Sequence, residues 1–400
     1  MDRSNTAGKK HVCIINDSGF WTDNRLKKEA RSLIRGGYRV TTLARQYAVV
    51  RDGAGKPPKP PRRAVWKGVE VIWIKGLPRT IPRSIFSGIY YTCKYLILYT
   101  RAAWQQNADI YHAHNLDCLL PGYITARLRR AKVVYDSREF FTEVRISRSI
   151  FSRMMLAGAR VLEKFLVRRS DAFITVCELF GEEFSKRYGI PRPAIVKNCP
   201  PYQPYRRENI LSEKLDLPDD HTIVLYLSSF FPGRGVETTI MAAEALPENS
   251  TMVLLGPAVD ESYMARIQEL ARDNPRVRLL PPVPVDQVQS VMRSADLGLI
   301  FYRSSFFANN SLSNKLFDYM MAGLPVVAVA MSETRRIIEE VDFGVCLDNA
   351  GPTELAREIA DLVTDRERLT RYHQNALRYA RSKYSWEKEE IRLLSVYHNL

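Results

Sequence analysis

The chain has 400 residues, enough for two domains with a core each. Its 46% hydrophobic and 10% aromatic content excludes a disordered or collagen-like polymer. The net charge of +15 is unevenly spread: residues 1–200 carry 37 Lys and Arg against 16 Asp and Glu, whereas residues 201–400 carry 22 against 28. The first half alone is therefore expected to face an anionic surface or substrate.

In chain order, Val12–Ile15 reads as a buried strand, followed by a helix from Asp23 to Arg35 that Gly36 and Gly37 terminate. Further strands are expected at Tyr38–Leu43, Val69–Ile74, Ile110–Ala113, Val133–Tyr135 and Ala172–Val176. A proline-rich connector, Pro200–Pro204, interrupts the series. It resumes with strands at Thr222–Leu227, Thr251–Leu255, Val277–Leu280, Leu297–Phe301 and Val326–Ala330. Strands alternating with helices predict parallel, doubly wound sheets, hence an α/β chain of two consecutive Rossmann-like domains. Ligands of such sheets bind beyond the strand carboxyl ends, here expected in the interdomain cleft. The expected boundaries are 1–200 for a basic first domain and 201–380 for a second, followed by a terminal helix at 381–400.

The six cysteines, Cys13, Cys93, Cys118, Cys177, Cys199 and Cys346, show no C-x-x-C spacing and read as reduced residues of a cytoplasmic protein. The first ten residues are polar and Val12–Ile15 is too short for a signal-peptide core. No apolar run approaches the roughly 18–20 residues that span a bilayer. Two segments, Ile81–Tyr99 and Ile146–Leu156, mix aromatics with arginine and lysine; such helices either pack on a sheet or lie against an anionic membrane. The basic Pro/Gly stretch from Arg51 to Arg63 reads as a solvated loop.

The richest segment runs Asn310-Ser311-Leu312-Ser313-Asn314-Lys315-Leu316-Phe317-Asp318 and stops at Gly323-Leu324-Pro325. It predicts a polar loop, a short helix opening near Ser313, and a buried strand after the proline. Asn314, Lys315 and Asp318 share one side of the first turns. A helix start favours a phosphate, Lys315 adds a full charge, and Asp318 is suited to accept from two ribose hydroxyls. An exposed ion pair over a core strand is the alternative. Asn16–Asp23, with Gly19, occupies the turn between the first strand and helix, a second place for a diphosphate or acceptor. His112 and His114 alternate onto one face of an extended segment, but without a third His or a Cys they predict no metal site.

The Asn314–Val327 string resembles the donor-binding segment of family-four glycosyltransferases, retaining enzymes of the GT-B fold, usually P-N-K-L-F-E-Y-M-A-x-G-x-P-V-V; Asp318 stands at the usual Glu. Residues Asp23 to Tyr38 resemble that family's D-x-R-x-x-x-E-A-x-x-L-x-x-x-G-Y-x-V, and Asp109 to Asn115 its D-I-x-H-A-H-D. Val133 to Glu139 resembles V-Y-D-S-H-E, with Arg138 at the histidine. Ser228 to Glu237 is similar to G-R-x-x-x-x-K-G-x-E, with Arg234 at the lysine and Ser229 at the arginine. Asn310 stands at a glutamate that contacts the transferred sugar.

The resemblance implies a GT-B protein of two Rossmann-like domains facing a cleft, with 1–200 on the acceptor side, 201–380 holding the nucleotide sugar, and the 381–400 helix crossing back to the first domain. It implies a retaining, metal-independent transfer of sugar from a nucleoside-diphosphate sugar to a hydroxyl, with no cofactor. Arg234, Lys315 and His114 are then the expected catalytic residues. Gly19, Asn310, Ser311, Asn314 and Asp318 are expected at the donor, and Arg138 and Glu139 at the acceptor or cleft. With the basic first half, the acceptor is expected to be a saccharide or a lipid-linked acceptor in cell-surface polysaccharide synthesis. The protein would be cytoplasmic and peripheral on an anionic membrane surface. A non-catalytic nucleotide-sugar-binding protein and a GT-B sugar-nucleotide epimerase share these features. Nucleic acid is not expected as a partner, because no recognised binding motif accompanies the charge.

Overall fold

A computed structural model describes residues 8–45, 62–75, 77, 85–140, 150–301, 312–329, 332–348 and 351–400. Asn310, Ser311 and most of the basic Pro/Gly stretch lie outside the described residues. The chain divides into two compact units, residues 1–197 with 390–400, and residues 198–389.

In the first unit the elements are β1 His11–Ile15, α1 Asn24–Arg35, β2 Arg39–Arg45, β3 Arg63–Trp66, β4 Val69–Ile74, α2 Ile85–Trp104, β5 Ile110–His114, α3 Asn115–Arg129, β6 Lys132–Ser137, α4 Ile150–Val167, β7 Ala172–Thr175, α5 Glu178–Tyr188 and β8 Ala194–Ile195. The sheet runs in the order β3-β4-β2-β1-β5-β6-β7-β8, parallel throughout except for the β3–β4 pair. Every residue of β1 and β5 is buried, as expected of central strands covered on both faces by helices. Strand order reverses between β1 and β5, so the loops that leave their carboxyl ends diverge and open a crevice there.

Helix α1 begins where Asp23 accepts a hydrogen bond from Leu26 N–H and stops at Gly36, with Gly37 at φ 89°. Its buried stripe holds Leu26, Ala30 and Leu33, as the apolar period requires, but also Arg25 and Glu29. Charged residues inside a stripe must find partners, and these two do so at the site below. Residues 390–400 close the unit: Tyr397 is buried, packs edge-to-face on Tyr38, and hydrogen-bonds His112.

The second unit contains α6 Ile210–Leu215, β9 Thr222–Leu227, α7 Val236–Ala242, β10 Ser250–Leu255, α8 Glu261–Ala271, β11 Val277–Leu280, α9 Val288–Arg293, β12 Leu297–Phe301, α10 Asn314–Met321, β13 Val326–Val329, α11 Ser332–Val341, β14 Gly344–Leu347, α12 Pro352–Thr364 and α13 Arg366–Ser382. Helix α14, Trp386–His398, then leads into the segment that belongs to the first unit. The sheet order is β11-β10-β9-β12-β13-β14, parallel throughout, with its reversal between β9 and β12. Its core is continuous from Cys199 to Tyr384 and is rich in Val, Leu, Ile, Phe and Tyr.

Candidate functional site

Chemistry-bearing residues gather at the switch point of each sheet. In the second unit, β9 ends at Leu227 and Ser228 follows directly. Ser228 N–H donates to Leu255 O at 3.1 Å. The backbone there is crowded: a Cβ on Gly256, at φ 152°, would lie 1.7 Å from Ser228 O. Only glycine permits that approach, and it fixes Ser228 beside the strand end. The turn closes at Gly235, left-handed at φ 77°, where a Cβ would meet the Phe301 ring at 1.9 Å. Tyr226 donates its hydroxyl to Arg234 O at 2.6 Å, and the Arg234 guanidinium lies 4.6 Å from the Phe231 ring centre.

Helix α10 delivers Lys315 to this turn. Leu316, Phe317, Tyr319 and Met320 anchor the helix in the core, leaving Asn314 exposed and Lys315 and Asp318 half-buried. The Lys315 ammonium donates to Ser228 Oγ at 3.0 Å. Burial and the nearby Arg234 charge pull the lysine down to about 7, with Asp318 opposing them. Ser313, the N-cap, makes no side-chain capping bond, and its buried Oγ has no hydrogen-bond partner. The helix start thus keeps N–H groups uncapped by its own cap residue, beside two cations. This arrangement is suited to an anion with more than one charge.

In the first unit a chain of charges is buried at the crevice. Arg25 binds Asp136 through Nη2 at 3.0 Å and Glu29 through Nε at 2.7 Å, and donates Nη1 to Val196 O at 2.7 Å. Glu29 Oε2 lies 2.8 Å from His114 Nε2. Arg138 reaches Asp23 at 2.6 Å and His114 Nδ1 at 2.7 Å. Ser18 donates to the same Asp23 oxygen at 2.6 Å, and Asn16 Oδ1 stands 3.3 Å from His114 Nδ1. Burial alone would raise the Asp23, Glu29 and Asp136 carboxyls. The arginines reverse this and hold all three below the usual carboxylate range. His114 is pushed well below the usual imidazole value by burial and by Arg138.

This places the expected residues as follows. Lys315, Arg234, Asn314 and Asp318 meet at one helix start, with Ser228 as a partner. Gly19 shapes the Asn16–Asp23 turn, its carbonyl accepting from Thr22 and Asp23 N–H at 3.2 Å each. His114 is 1% exposed and lies behind Arg138. His112 is buried against Tyr397 and Asp136, as a structural residue would be. Glu139 is half-buried beside Arg138 in sequence, and its carbonyl accepts from Ser137 Oγ at 3.0 Å. Sequence reasoning did not single out Arg25, Glu29, Asp136 or Ser228. Arg25 and Glu29 were signalled only by their four-residue spacing in the Asp23 motif.

The donor atoms of Glu29, His112, His114 and Asp136 lie within 4.8 Å of one another, a spacing that a metal ion could use. Their charge is already met. Arg25 and Arg138 neutralise the two carboxylates from the same interior, so a divalent ion would add uncompensated buried charge.

Comparison with known proteins agrees with this architecture. Residues 23–199 match the family model "Glycosyl transferase 4-like domain" and residues 208–379 match "Glycosyl transferases group 1". The D-inositol 3-phosphate glycosyltransferase of Salinispora tropica is 26% identical over 262 residues, 60% of this chain and 53% of that protein. That of Xylanimonas cellulosilytica is 25% identical over 254 residues, 60% of each. The chain thus spans little more than half the length of these curated relatives.

Among solved structures, sucrose-phosphate synthase from Thermosynechococcus elongatus superposes with a TM-score of 0.74 at 15% identity, covering 98% of both chains. The Anabaena protein HepE, in complex with UDP, gives 0.72 at 17%, covering 98% of this chain and all of that one. WaaG, a glycosyltransferase involved in lipopolysaccharide biosynthesis, gives 0.65 at 17% over 96% and 98%. Two parallel Rossmann-like sheets, two family models that together take in most of the chain, and these folds place it among the group 1, family-four-like glycosyltransferases of the GT-B fold.

Proposed function

We propose that this chain transfers a sugar from a nucleoside-diphosphate sugar to a hydroxyl. The observation that carries the reading is the Lys315–Ser228 contact at the start of α10, with Arg234 beside it. The departing diphosphate develops charge that an uncapped helix start and two cations would stabilise. Asp318 would accept from the ribose hydroxyls; Asn310 and Ser311, also expected at the donor, lie outside the described residues. HepE was solved with UDP and with UDP-glucose, and the likeness of fold favours a donor of that class.

The finer reading is a retaining, metal-independent reaction. Family resemblance supports retention, and no protein base is named for it. Metal independence is supported by charge: Lys315 and Arg234 supply at the diphosphate what a divalent ion otherwise would. In the first unit, Arg138 and Glu139 would meet the acceptor or the sugar, with His114 behind Arg138.

The acceptor we infer is a saccharide or lipid-linked saccharide at the cytoplasmic face of a membrane. Helix α2 packs on α3, and α3 touches α4. Across these helices Ile89, Ile97, Met154 and Val161 are more than half exposed. Lys94, Arg101, Arg153 and Arg160 lie on the same two outer helices. Exposed apolar side chains among cations suit an anionic bilayer, each cation adding about 1 kcal/mol near the surface. Among the described residues no helix is long and apolar enough to cross a membrane.

The test is a panel of nucleoside-diphosphate sugars, scored for thermal stabilisation and for release of nucleoside diphosphate with and without membrane lipid extract. Stabilisation and turnover by one donor support the transferase reading. Stabilisation without turnover under any acceptor condition contradicts it in favour of a binding protein.

A further inference from the structure

The second unit holds a cavity that the donor site does not use. Helix α10 carries Lys315 in its first turn and ends at Met321, about 9 Å further along the axis at ~1.5 Å per residue. The chain then turns through Gly323 and Pro325 to begin β13. Lys315 therefore sits at the carboxyl edge of the sheet, where β9 ends, and Met321 towards the amino edge. At the Met321 end lies a cavity of about 650 Å³, floored by Met321 and walled by Tyr202, Tyr205, Arg378, Arg381 and Lys388.

The cavity's electrostatics are unusual for its surroundings. Residues 201–400 carry six more acidic than basic side chains, yet the cavity lining contains three cations and no carboxylate. Among the described residues Arg381 and Lys388 make no ion pair, and Arg378 donates to Asn375 Oδ1 at 2.9 Å rather than to a carboxylate. Nearby acids are engaged elsewhere: Glu387 accepts from Tyr202 N–H at 3.0 Å, and Glu340 takes Lys383 and Tyr384. Three cations left without carboxylates in one concavity repel one another until an anion arrives. Two tyrosines add flat apolar faces with a hydroxyl each, which suit a ring beside the charge.

We propose that this cavity is a second anion site, taking a small phosphorylated molecule, separate from the helix start that holds Lys315. A phosphate would bridge the Arg381 guanidinium and the Lys388 ammonium, and the attached sugar or ring would lie against Tyr202 and Tyr205. A volume of this size matches small-molecule sites rather than a single ion. Tyr202 and Lys388 also lie close in sequence to the two points at which the chain passes between its compact units. Trp386 N–H and Pro200 O join those two segments by a 2.8 Å hydrogen bond. Occupancy would therefore be felt by both connections.

The test uses the full chain and inorganic pyrophosphate, followed by calorimetric titration at low salt. The Lys315→Ala/Arg234→Ala variant removes both donor-site cations, so pyrophosphate binding that persists in it reports the second site. Adding Arg381→Glu and Lys388→Glu to that background should weaken the remaining binding at least tenfold. Both side chains are exposed, and an unchanged melting temperature would confirm the fold. Arg381→Lys should retain most of the binding, because it keeps the charge. Complete loss of binding in Lys315→Ala/Arg234→Ala alone would overturn the proposal, as would persistence of all binding in the quadruple variant. A lipid phosphate is the other source of the same chemistry. Capture of phosphatidylglycerol vesicles through Arg381 and Lys388, without pyrophosphate binding, would overturn the assignment to a small molecule.

Discussion

Arg138 donates to His114 Nδ1 at 2.7 Å, so the imidazole proton belongs on Nε2, which lies 2.8 Å from the Glu29 carboxylate. His114 is thereby held in one tautomer, and burial first and then Arg138 push its pKa well below the usual imidazole value, keeping it neutral. The permanent charge that reaches the crevice is that of Arg138, which is 20% exposed at its side chain. A titrating histidine at position 138 would not perform this task.

Arg138→Met should therefore lower stability by about 3–5 kcal/mol, the usual cost of orphaning a buried charge, because Asp23 loses its cation and Glu29 is left with Arg25 alone. Arg138→Lys should recover only part of it, since one ammonium cannot serve Asp23 and His114 in the same fork. Urea unfolding of the three proteins measures this. Equal midpoints would show that the charge chain is not a unit.

Arg25 offers an independent check. It bridges Glu29 and Asp136, which lie 111 residues from it in the case of Asp136, and it holds Val196 O as well. Arg25→Met should also cost about 3–5 kcal/mol in the first unit. Double substitution with Asp136→Asn should cost less than the sum of the singles, because each removes the other's partner. Strict additivity in a double-mutant cycle would refute the pairing.

Lys315 predicts a pH dependence for donor binding. Its ammonium titrates near 7 in the unliganded protein, and a bound diphosphate would raise it. Binding must then take up a proton at neutral pH, so affinity for a nucleoside diphosphate should fall as pH rises through about 7. Lys315→Arg, charged throughout this range, should abolish that slope. Calorimetry in two buffers of different ionisation enthalpy would detect the proton; no difference between buffers would count against a depressed lysine.

Gly235 is a stability test of the phosphate turn. It is left-handed, and an added methyl would meet the Phe301 ring. Gly235→Ala should cost roughly 1–2 kcal/mol for the backbone and about 1–3 kcal/mol for overpacking. Thermal unfolding that matched the parent would show the turn to be looser than described.

Much of the fold was legible because both sheets are parallel and buried. Continuous runs such as Val12–Ile15 and Thr222–Leu227 declare themselves by hydrophobicity alone. The strands that escaped notice carry no such run. Arg63–Trp66 is an antiparallel edge strand that alternates exposed and half-buried residues. Ala194–Ile195 has two residues, and Gly344–Leu347 is only half-buried. At the site, Asn314, Lys315 and Asp318 were readable because they are neighbours on one helix. The Arg25–Asp136 pair was not, since its members meet only after β1 and β6 are placed in one sheet. Ser228 was hidden for a related reason: nothing local distinguishes it from Ser229 until α10 brings Lys315 to it.

The central claim is that the start of α10 holds the diphosphate of a nucleotide sugar. It is tested most directly by titrating the parent, Lys315→Ala and Asp318→Asn proteins with UDP-glucose, UDP and uridine. The account predicts that Lys315→Ala loses at least tenfold affinity for UDP and UDP-glucose but little for uridine, while Asp318→Asn weakens all three. Equal affinity of the parent and Lys315→Ala for UDP, across the donor panel, would contradict it.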